Sequence, residues 1–515
     1  MHELLTRPVP ELASLVARGE VSALELTDAA LARIDALDEN FGAFLSVAHD
    51  TARAAARCVD DMRRRGEPLG KLCGVPLAIK DALTTRDQPT TAGSRILCRK
   101  PQRGGRPHDA WQPPYDAHVV DRLRGAGAVL VGKTNMDELA MGSSNENSGF
   151  FPARNPWDTS RAPGGSSGGS AAAIAAGMVP GALGSDTGGS VRQPCSFTGT
   201  VGVKPTYGRA SRYGLIAFAS SLDQVGPMAN DVRGAALLLE CIAGYDERDS
   251  TSAAREVPDY VAACEREVRG LRIGVPEEYF AAGLASEVEA AVRDAVAALE
   301  RAGASVEPVT LPHTRYAVAT YYIVATAECS SNLARFDGVR FGLRSESTAA
   351  HSELASLYRD TRRAGFGSEV KRRILLGTYV LSAGYFDAYY LRAQRARTLI
   401  AADFAAAFAR VDAIATPVSP TVAFKLGERV DDPLAMYLAD VYTLPASLAG
   451  VPALSVPCGL GSESGMPVGL QLIGPAFSEA ALFSLASAVE RAAPSRGVRP
   501  PEPSASHART RGSAP

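Results

Sequence analysis

The sequence predicts an α/β fold, with a mixed, largely parallel twisted sheet that is covered by helices on both faces. From residue 72 onward, short apolar strands alternate with helices, which is typical of such sheets. Hydrophobic residues make up 46% and charged residues 21% of the 515-residue chain, so a large core can be buried. The length allows two to four domains or one large α/β domain.

The chain begins with helices. In "VSALELTDAALARIDAL" the apolar residues share one helical face, and Ser22 and Glu25 have the spacing of a capping box. "TARAAARCVDDMRRRG" predicts a second helix, which ends at Gly66. Residues 1–70 are therefore assigned to an N-terminal helical segment.

Strands and helices then alternate through residues 71–490. "GVPLAI" is a buried strand, and "DAHVVDRLRGAGAVLVGKTN" is a helix, a glycine turn and a strand. "LRIGVP" and "ASVEPVTL" are strands on either side of the helix "SEVEAAVRDAVAALERAG", for which Ser286 and Glu289 predict a cap. "VDAIATP", "ALSVP" and "VGLQLIG" add three strands.

Two stretches depart from this alternation. Residues 315–405 are mainly helical and predict a lobe over one end of the sheet. Residues 491–515 are rich in Pro, Arg and Ser, and we expect a disordered tail because they cannot bury apolar surface.

Composition excludes several classes of protein. A net charge of −2 gives no electrostatic case for direct nucleic-acid binding. The eight cysteines form no CxxC pair, and the N-terminus lacks a secretory pattern, so we expect a cytoplasmic protein with reduced thiols. The uncharged run 164–185 consists mainly of Gly, Ala and Ser, with Pro180 inside it, which argues against a membrane span.

Two glycine-serine loops lie close together, "GGSSGGS" at 164–170 and "GSDTGGSVRQP" at 184–194. Glycines let the backbone approach a substrate and let consecutive N–H groups converge into an oxyanion hole. Neither loop has the spacing of a P-loop or of a G-x-S-x-G elbow. One such loop alone is more simply a tight turn with helix-capping serines, but two within one segment indicate serine chemistry.

A serine nucleophile needs a base, and none of the seven histidines lies in a glycine-rich or strand-end context. A Ser–Lys arrangement is the alternative. Lys80 follows the apolar run Val75–Ile79, where burial would lower the pKa of its amine. A lone strand-end lysine is more often ion-paired, with Asp81 as the partner. Because successive strand residues point to opposite faces, we expect Asp81 to face away.

The segments "GVPLAIKD", "GGSSGGS" and "GSDTGGSVRQP", in this order, resemble the amidase signature family. The resemblance implies a single large domain and a catalytic triad with Ser190 as nucleophile, Ser166 as a bridging serine after a cis peptide bond, and Lys80 as base. The backbone N–H groups that it implies for the oxyanion hole are those of Thr187, Gly188, Gly189 and Ser190.

Further segments, among them "GKTNMDELAMGSSNENSGF" and "KPTYGRASRYGLIAFASSLDQVGPM", resemble one branch of that family, the glutaminase subunits of tRNA-dependent amidotransferases, from about residue 10 to about residue 490. This implies a chain without cofactor or metal that hydrolyses glutamine. Its ammonia would pass to a B subunit, which uses ATP and magnesium to convert Glu-tRNA(Gln) to Gln-tRNA(Gln) and makes most of the tRNA contacts. A C subunit would complete a heterotrimer.

By the same matching, Arg373 in "KRR" should bind the α-carboxylate of glutamine and Asp440 in "YLADVYT" its α-amino group. A separated cation and anion are what a zwitterionic amino acid requires. Tyr321 is a candidate for the pocket wall. The alternative is a helix-surface arginine and a capping aspartate.

Some positions depart from the family pattern. They are Ala82, Asn145, Cys195, Thr198 and an insertion near residues 98–112. Three functions stay open. The first is that of the glutaminase subunit, the second that of a free-standing amidase or an amidotransferase paralogue of another pathway, and the third that of a catalytically inactive scaffold. The identity of the ammonia acceptor also stays open.

Overall fold

Eleven strands form one mixed sheet in the computed structural model, which describes residues 2–100, 105–345 and 354–502. In chain order the strands are β1 Phe44–Val47, β2 Pro76–Lys80, β3 Val129–Thr134, β4 Gly181–Asp186, β5 Val201–Lys204, β6 Gln224–Ala229, β7 Arg272–Pro276, β8 Ser305–Val309, β9 Ala413–Pro417, β10 Ala453–Leu460 and β11 Pro467–Ile473. Across the sheet they follow the order β1-β3-β2-β4-β6-β5-β10-β11-β9-β7-β8. The predicted α/β class and mixed sheet are confirmed.

The expectation of a largely parallel sheet is wrong. Parallel pairing joins β2 to β3 and β4, and β7 to β8 and β9. All other neighbouring strands are antiparallel, including the whole centre β4-β6-β5-β10-β11-β9. The strands β10 and β11 are joined by a short turn, which reverses the chain without a crossover helix. Apolar runs in strands buried on both faces do not reveal strand direction.

Sixteen α-helices accompany the sheet in the described ranges: α1 Val9–Arg18, α2 Ala23–Phe41, α3 His49–Arg64, α4 His118–Gly125, α5 Gly168–Ala175, α6 Arg192–Thr198, α7 Val232–Ile242, α8 Tyr260–Ala263, α9 Ser286–Arg301, α10 Ala317–Asn332, α11 Leu354–Gly365, α12 Ser368–Val380, α13 Arg392–Phe408, α14 Pro433–Leu438, α15 Leu444–Ala449 and α16 Glu479–Ala492. Every residue of β2, β3 and β4 is buried, so both faces of the sheet are covered there. None of these helices is long and apolar enough to cross a membrane.

One of the two predicted caps is present. Ser22 Oγ accepts a hydrogen bond from the backbone N–H of Glu25, whose carboxylate accepts one from the N–H of Ser22, so the capping box of α2 is confirmed. The cap predicted for α9 is wrong. That helix already includes Ser286, its N-cap is Ala285, and no side chain caps it. Ser286 therefore lies one position too far into the helix to act as a cap.

The N-terminal segment is not helical throughout. Between α2 and α3 it supplies β1, which pairs antiparallel with β3 and forms one edge of the sheet. A four-residue strand between two long helices leaves too short a pattern to be recognised in the sequence.

The first residues of the stretch predicted as a disordered tail, 491–502, are structured. Helix α16 extends to Ala492, and the following residues lie against the N-terminal segment. Arg499 donates a hydrogen bond to the carbonyl oxygen of Thr6 (2.9 Å), and Arg33 pairs with Glu502 (2.5 Å). Polar contacts thus hold a stretch that has little apolar surface to bury. Residues 503–515 lie outside the described residues.

The mainly helical stretch contains α10 to α13, although residues 346–353 lie outside the described residues. Its helices share a hydrophobic cluster with residues of β8 and β9, represented by Val324, Ile400, Val309 and Ile414. Helix α12 packs against α10 and carries Arg373. This places a predicted substrate-binding residue on the helical part of the molecule, while the first glycine-serine loop leads into α5 and the second follows β4 of the sheet.

Candidate active site

Lys80 is the last residue of β2 and is completely buried. Its Nζ donates hydrogen bonds to Ser166 Oγ (2.7 Å), Ser167 Oγ (2.8 Å) and the carbonyl oxygen of Ser185 (3.2 Å). The predicted base and the predicted bridging serine are therefore in direct contact. The hydrogen bond to Ser167 was not foreseen.

Burial lowers the pKa of Lys80 to about 7. The carboxylates of Asp137, Asp186 and Asp223 oppose this shift, because negative charge stabilises the ammonium form. Asp81 takes no part in it. Its carboxylate pairs with Lys133 (Nζ–Oδ1 3.1 Å), so it faces away from Lys80 as expected.

The first serine loop precedes α5 and contains a cis peptide bond between Gly165 and Ser166. Close packing explains the glycine, since a Cβ atom on Gly165 would lie 2.0 Å from Asp137 Oδ2. The same loop continues into the buried, alanine-rich helix α5.

The two serines of this loop are not equivalent. Besides contacting Lys80, Ser167 Oγ donates to the carbonyl oxygen of Ser185 (3.2 Å) and accepts from its N–H (3.4 Å). The hydroxyl of Ser166 bonds only to Lys80 among the described residues. Ser166 therefore keeps the capacity to exchange a proton with a further group.

Ser190 lies between β4 and α6. Ser190 is 8% exposed, whereas Lys80 and Ser166 are fully buried. Solvent therefore reaches only Ser190 among these three predicted catalytic residues. The N–H of Ser167 donates to the carbonyl oxygen of Ser190 (3.1 Å), which holds the two loops together. The hydroxyls of Ser190 and Ser166 are not hydrogen-bonded to each other in this structure.

A buried ion pair frames the Ser190 loop. Asp186 at the end of β4 pairs with Arg192 at the start of α6 (2.9 Å). Arg192 also donates to the carbonyl oxygen of Thr443 (2.9 Å), and Thr443 Oγ1 donates to that of Gly188 (2.6 Å). The loop is thereby fixed to the segment that follows α14.

The backbone N–H groups predicted to form an oxyanion hole have no competing acceptor. No group in the described ranges accepts a hydrogen bond from them. They belong to Thr187, Gly188, Gly189 and Ser190. Unpaired N–H groups next to a hydroxyl are available to an oxyanion, because they lose no existing bond when it forms.

Arg373 is 3% exposed, so the alternative of a helix-surface arginine is wrong. Its Nε donates to Glu369 Oε1 (2.8 Å), and its guanidinium lies 5.1–5.5 Å from the ring centres of Phe218, Tyr322 and Tyr437. Its two terminal nitrogens donate to no group in the described part of the chain. They can bind an incoming carboxylate.

Asp440 lies next to the Ser190 loop. Ser143 Oγ donates a hydrogen bond to Asp440 Oδ2, while Oδ1 is buried and has no partner among the described residues. A Cβ atom on Gly189 would lie 3.3 Å from that free oxygen. Burial raises the pKa of Asp440 to about 7. The free oxygen can accept hydrogen bonds from an ammonium group.

Tyr321 contacts the same loop. It is 5% exposed, and a Cβ atom on Gly188 would lie 2.8 Å from its Cζ. Asp440 and Tyr321 thus lie beside the Ser190 loop, whereas Arg373 lies next to Tyr322, the neighbour of Tyr321. Their binding roles stay predictions.

Several residues of this site were not predicted. Ser167 contacts Lys80, Asp137 packs against Gly165, and Ser143 holds Asp440. Gln193 joins the second loop to the first, since its Oε1 accepts from the N–H of Gly165 (2.9 Å). All four lie in segments that resemble the family, but only Ser167, beside Ser166, had a position that pointed to the triad.

The single-residue departures from the family pattern are buried. Asn145 has a positive φ of 67° and its Oδ1 accepts from the N–H of Gly169 (3.1 Å). Thr198 donates to the carbonyl oxygen of Pro194 (2.8 Å). Ala82 and Cys195 lie in hydrophobic clusters. In the described ranges, no three His, Cys, Asp or Glu residues are grouped as a metal site.

The insertion near residues 98–112 is described except for residues 101–104. Its two ends pair with each other. The N–H of Arg99 donates to the carbonyl oxygen of Asp109 (2.9 Å), and that of Trp111 donates to the carbonyl oxygen of Leu97 (2.8 Å). The insertion therefore leaves and re-enters the fold at one place.

Comparison with known sequences agrees with this geometry. A model of the amidase family matches residues 25–483. The A subunit of glutamyl-tRNA(Gln) amidotransferase from Anaeromyxobacter sp. (strain K) is 58% identical over 489 residues, which cover 95% of this chain and 96% of that protein. The protein of the same name from Moorella thermoacetica is 57% identical, and the match covers 97% of this chain and 99% of that one.

Solved structures give the same result. The crystal structure of the A subunit of glutamyl-tRNA(Gln) amidotransferase from Thermotoga maritima superposes with a TM-score of 0.74 at 45% identity, covering 92% of each chain. The peptide amidase of Stenotrophomonas maltophilia gives a TM-score of 0.78 at 33% identity, covering 98% of this chain and 99% of that one. The resemblance seen in the sequence is confirmed, and the chain belongs to the amidase family.

Proposed function

We propose that this chain is the glutamine-hydrolysing subunit of a tRNA-dependent amidotransferase, and that it acts through Lys80, Ser166 and Ser190. The observation that carries the proposal is the arrangement around the Ser190 loop. A buried amine bonded to a serine hydroxyl lies near the loop, and a buried carboxylate with a free oxygen lies next to Gly189.

In the first half of the reaction, Ser190 Oγ attacks the side-chain amide carbon of glutamine. Its proton passes to Ser166, and the proton of Ser166 passes to neutral Lys80. The N–H groups of the Ser190 loop stabilise the oxyanion of the tetrahedral intermediate. Removal of such a donor typically costs about 10²–10³ in rate.

In the second half, the proton returns from Lys80 through Ser166 to the leaving nitrogen, and ammonia departs from a glutamyl ester of Ser190. A water molecule then attacks the ester carbon and gives its proton through Ser166 to Lys80. That proton returns through Ser166 to Ser190 Oγ as the bond between the acyl carbon and Oγ breaks. The products are glutamate, ammonia and free Ser190, so no proton is gained or lost by the enzyme.

Substrate selection follows from two opposite charges. The terminal nitrogens of Arg373 bind the α-carboxylate, and the free oxygen of Asp440 accepts from the α-ammonium. Tyr321 forms part of the pocket wall. A simple amide lacks both charges and gains neither contact.

The molecule that accepts the ammonia is bound by another subunit. The relatives are A subunits of glutamyl-tRNA(Gln) amidotransferase, which supports assembly into an enzyme of several subunits. We propose that a B subunit uses ATP and magnesium to convert Glu-tRNA(Gln) to Gln-tRNA(Gln) and contacts most of the tRNA, with a C subunit completing a heterotrimer. The chain's net charge of −2 agrees with this division of labour.

Ser190→Ala tests the nucleophile. It should abolish ammonia release from glutamine and covalent labelling by 6-diazo-5-oxo-L-norleucine, a glutamine analogue with an electrophilic carbon, because the attacking oxygen is gone. Mass spectrometry of the intact chain measures the labelling. Ser196→Ala is the matched control, since Ser196 lies on the following helix and, among the described residues, its hydroxyl only accepts from the N–H of Gly469 (3.0 Å). Full labelling of the Ser190 variant would refute the assignment.

A further inference from the structure

We propose that Gln193 is a positioning residue that couples recognition of the substrate's amino group to the geometry of the serine loop. The inference rests on the proposed function, because it concerns how glutamine is distinguished from amides that lack an α-amino group. It starts from one buried side chain that joins three segments of the site.

Gln193 lies in the first turn of α6, three residues after Ser190, and is fully buried. Its backbone N–H donates to the carbonyl oxygen of Gly189 (2.8 Å). Its side-chain Oε1 accepts from the N–H of Gly165 (2.9 Å), and its Nε2 donates to the carbonyl oxygen of Ser143 (2.9 Å). One partner is a donor and the other an acceptor, which fixes the orientation of the amide group.

The two side-chain hydrogen bonds of Gln193 reach two different parts of the site. Gly165 directly precedes Ser166, so the first bond fixes the backbone next to the residue that carries the bridging hydroxyl. Ser143 donates to Asp440 Oδ2, so the second bond fixes the residue that orients the free oxygen Oδ1. Gln193 therefore holds the proton path and the amino-group site in one arrangement.

Loss of the two side-chain hydrogen bonds of Gln193 would be costly, because their partners are buried. With Gln193 removed, the N–H of Gly165 and the carbonyl of Ser143 would both be buried without a partner, and the surrounding loops would shift to satisfy them. No charged group bonds to the Gln193 side chain, so its role is geometric and not electrostatic.

The test measures kcat/KM for glutamine and for glutaramate, the analogue that lacks the α-amino group. The ratio of the two values reports recognition of the amino group alone. In Gln193→Leu we expect the ratio to fall about tenfold. We also expect kcat for glutaramate to fall, because Gly165 loses its acceptor. The increase in KM should be larger for glutamine than for glutaramate.

A double-mutant cycle with Ser143→Ala separates coupling from two independent effects. If Gln193 acts through Ser143, the double variant should lower the ratio by about the same tenfold as either single variant. A loss of about a hundredfold, the product of two independent effects, would overturn the proposal. So would an unchanged ratio in Gln193→Leu.

Two further variants guard against misfolding. Gln88→Leu is the matched control, because Gln88 is a buried glutamine whose side-chain atoms have no partner among the described residues. It should keep the wild-type ratio. Gln193→Met, which keeps the length of the side chain but neither hydrogen bond, replaces the leucine variant if that fails to fold. A wild-type protein that releases no ammonia from glutamine contradicts the proposed function itself, whereas an unchanged ratio in an active enzyme contradicts only the role of Gln193.

Discussion

At the scale of single residues, two groups must lose a proton before glutamine can bind and react. Lys80 accepts a proton only as a neutral amine, and Asp440 binds an ammonium group only as a carboxylate. Burial moves both pKa values to about 7, downward for Lys80 and upward for Asp440. Both active forms therefore predominate above pH 7, and both are lost as the pH falls.

This predicts different pH profiles for kcat/KM and kcat. Below pH 7, log kcat/KM should fall with a slope of about two, because it reports both groups in the free enzyme. At saturating glutamine the bound ammonium keeps Asp440 ionised, so log kcat should fall with a slope of about one. Initial rates of ammonia release between pH 5 and 9 measure both profiles.

Two variants check the assignment. Asp440→Asn should reduce the slope of kcat/KM to about one, and Lys80→Arg should lose nearly all turnover at every pH, because a guanidinium cannot give up its proton. Substantial turnover in Lys80→Arg would mean that Lys80 is not the base. Circular dichroism confirms that each variant is folded.

The sequence predicted the site residues through their motifs, and the structure brings Lys80 and Ser166 into contact. The sequence did not predict the roles of Ser143 and Gln193. Their hydrogen bonds join segments that are far apart in the chain, such as Gln193 to Ser143. A serine and a glutamine are common buried polar residues, and only the packed loops show what they bond to.

At the scale of secondary-structure elements, the two serines that the sequence predicted as caps allow a direct comparison. Ser22→Ala should lower the free energy of unfolding by about 1 kcal/mol, because the N–H of Glu25 loses its acceptor at the start of α2. Ser286→Ala is the control and should have little effect, since Ser286 caps nothing. Urea denaturation followed by circular dichroism measures both. Equal losses would contradict the observed caps.

Strand positions were predicted more accurately than strand directions. An apolar run shows that a strand is buried, but β2 and β10 carry similar runs and pair in opposite ways with their neighbours. Direction depends on the connections. The short edge strand β1 was missed because the two helices beside it dominate the pattern.

At the scale of the whole molecule, partner subunits are the main prediction. Co-expressed with B and C subunits, the chain should elute with them as one complex in size-exclusion chromatography. Alone it should show weak glutaminase activity and no ATP hydrolysis. The P-loop pattern at residues 127–134 lies mostly in the buried strand β3, where Lys133 pairs with Asp81, so it forms no phosphate-binding loop. Failure to associate, together with rapid hydrolysis of simple amides, would favour a free-standing amidase.

The overall architecture was predictable because alternating strands and helices leave few layered arrangements. The contacts of the last described residues were not. Residues 493–502 are rich in Pro and Arg, which is typical of a tail, yet Arg499 and Glu502 bond to the N-terminal segment. Composition describes what a segment can bury but not which polar partners a distant segment offers.

These polar contacts have a practical consequence for handling the protein. Arg33 bonds to Glu502 and also donates to the carbonyl oxygen of Ala176 (3.3 Å), at the far end of the helix that begins beside Ser167. Both ends of the described chain thus meet near the carboxyl end of α5. A chain cut after Ala492 would leave Arg33 without the carboxylate of Glu502 and Thr6 without the hydrogen bond from Arg499. A circular permutant that joins the two ends by a linker and opens elsewhere would preserve the site.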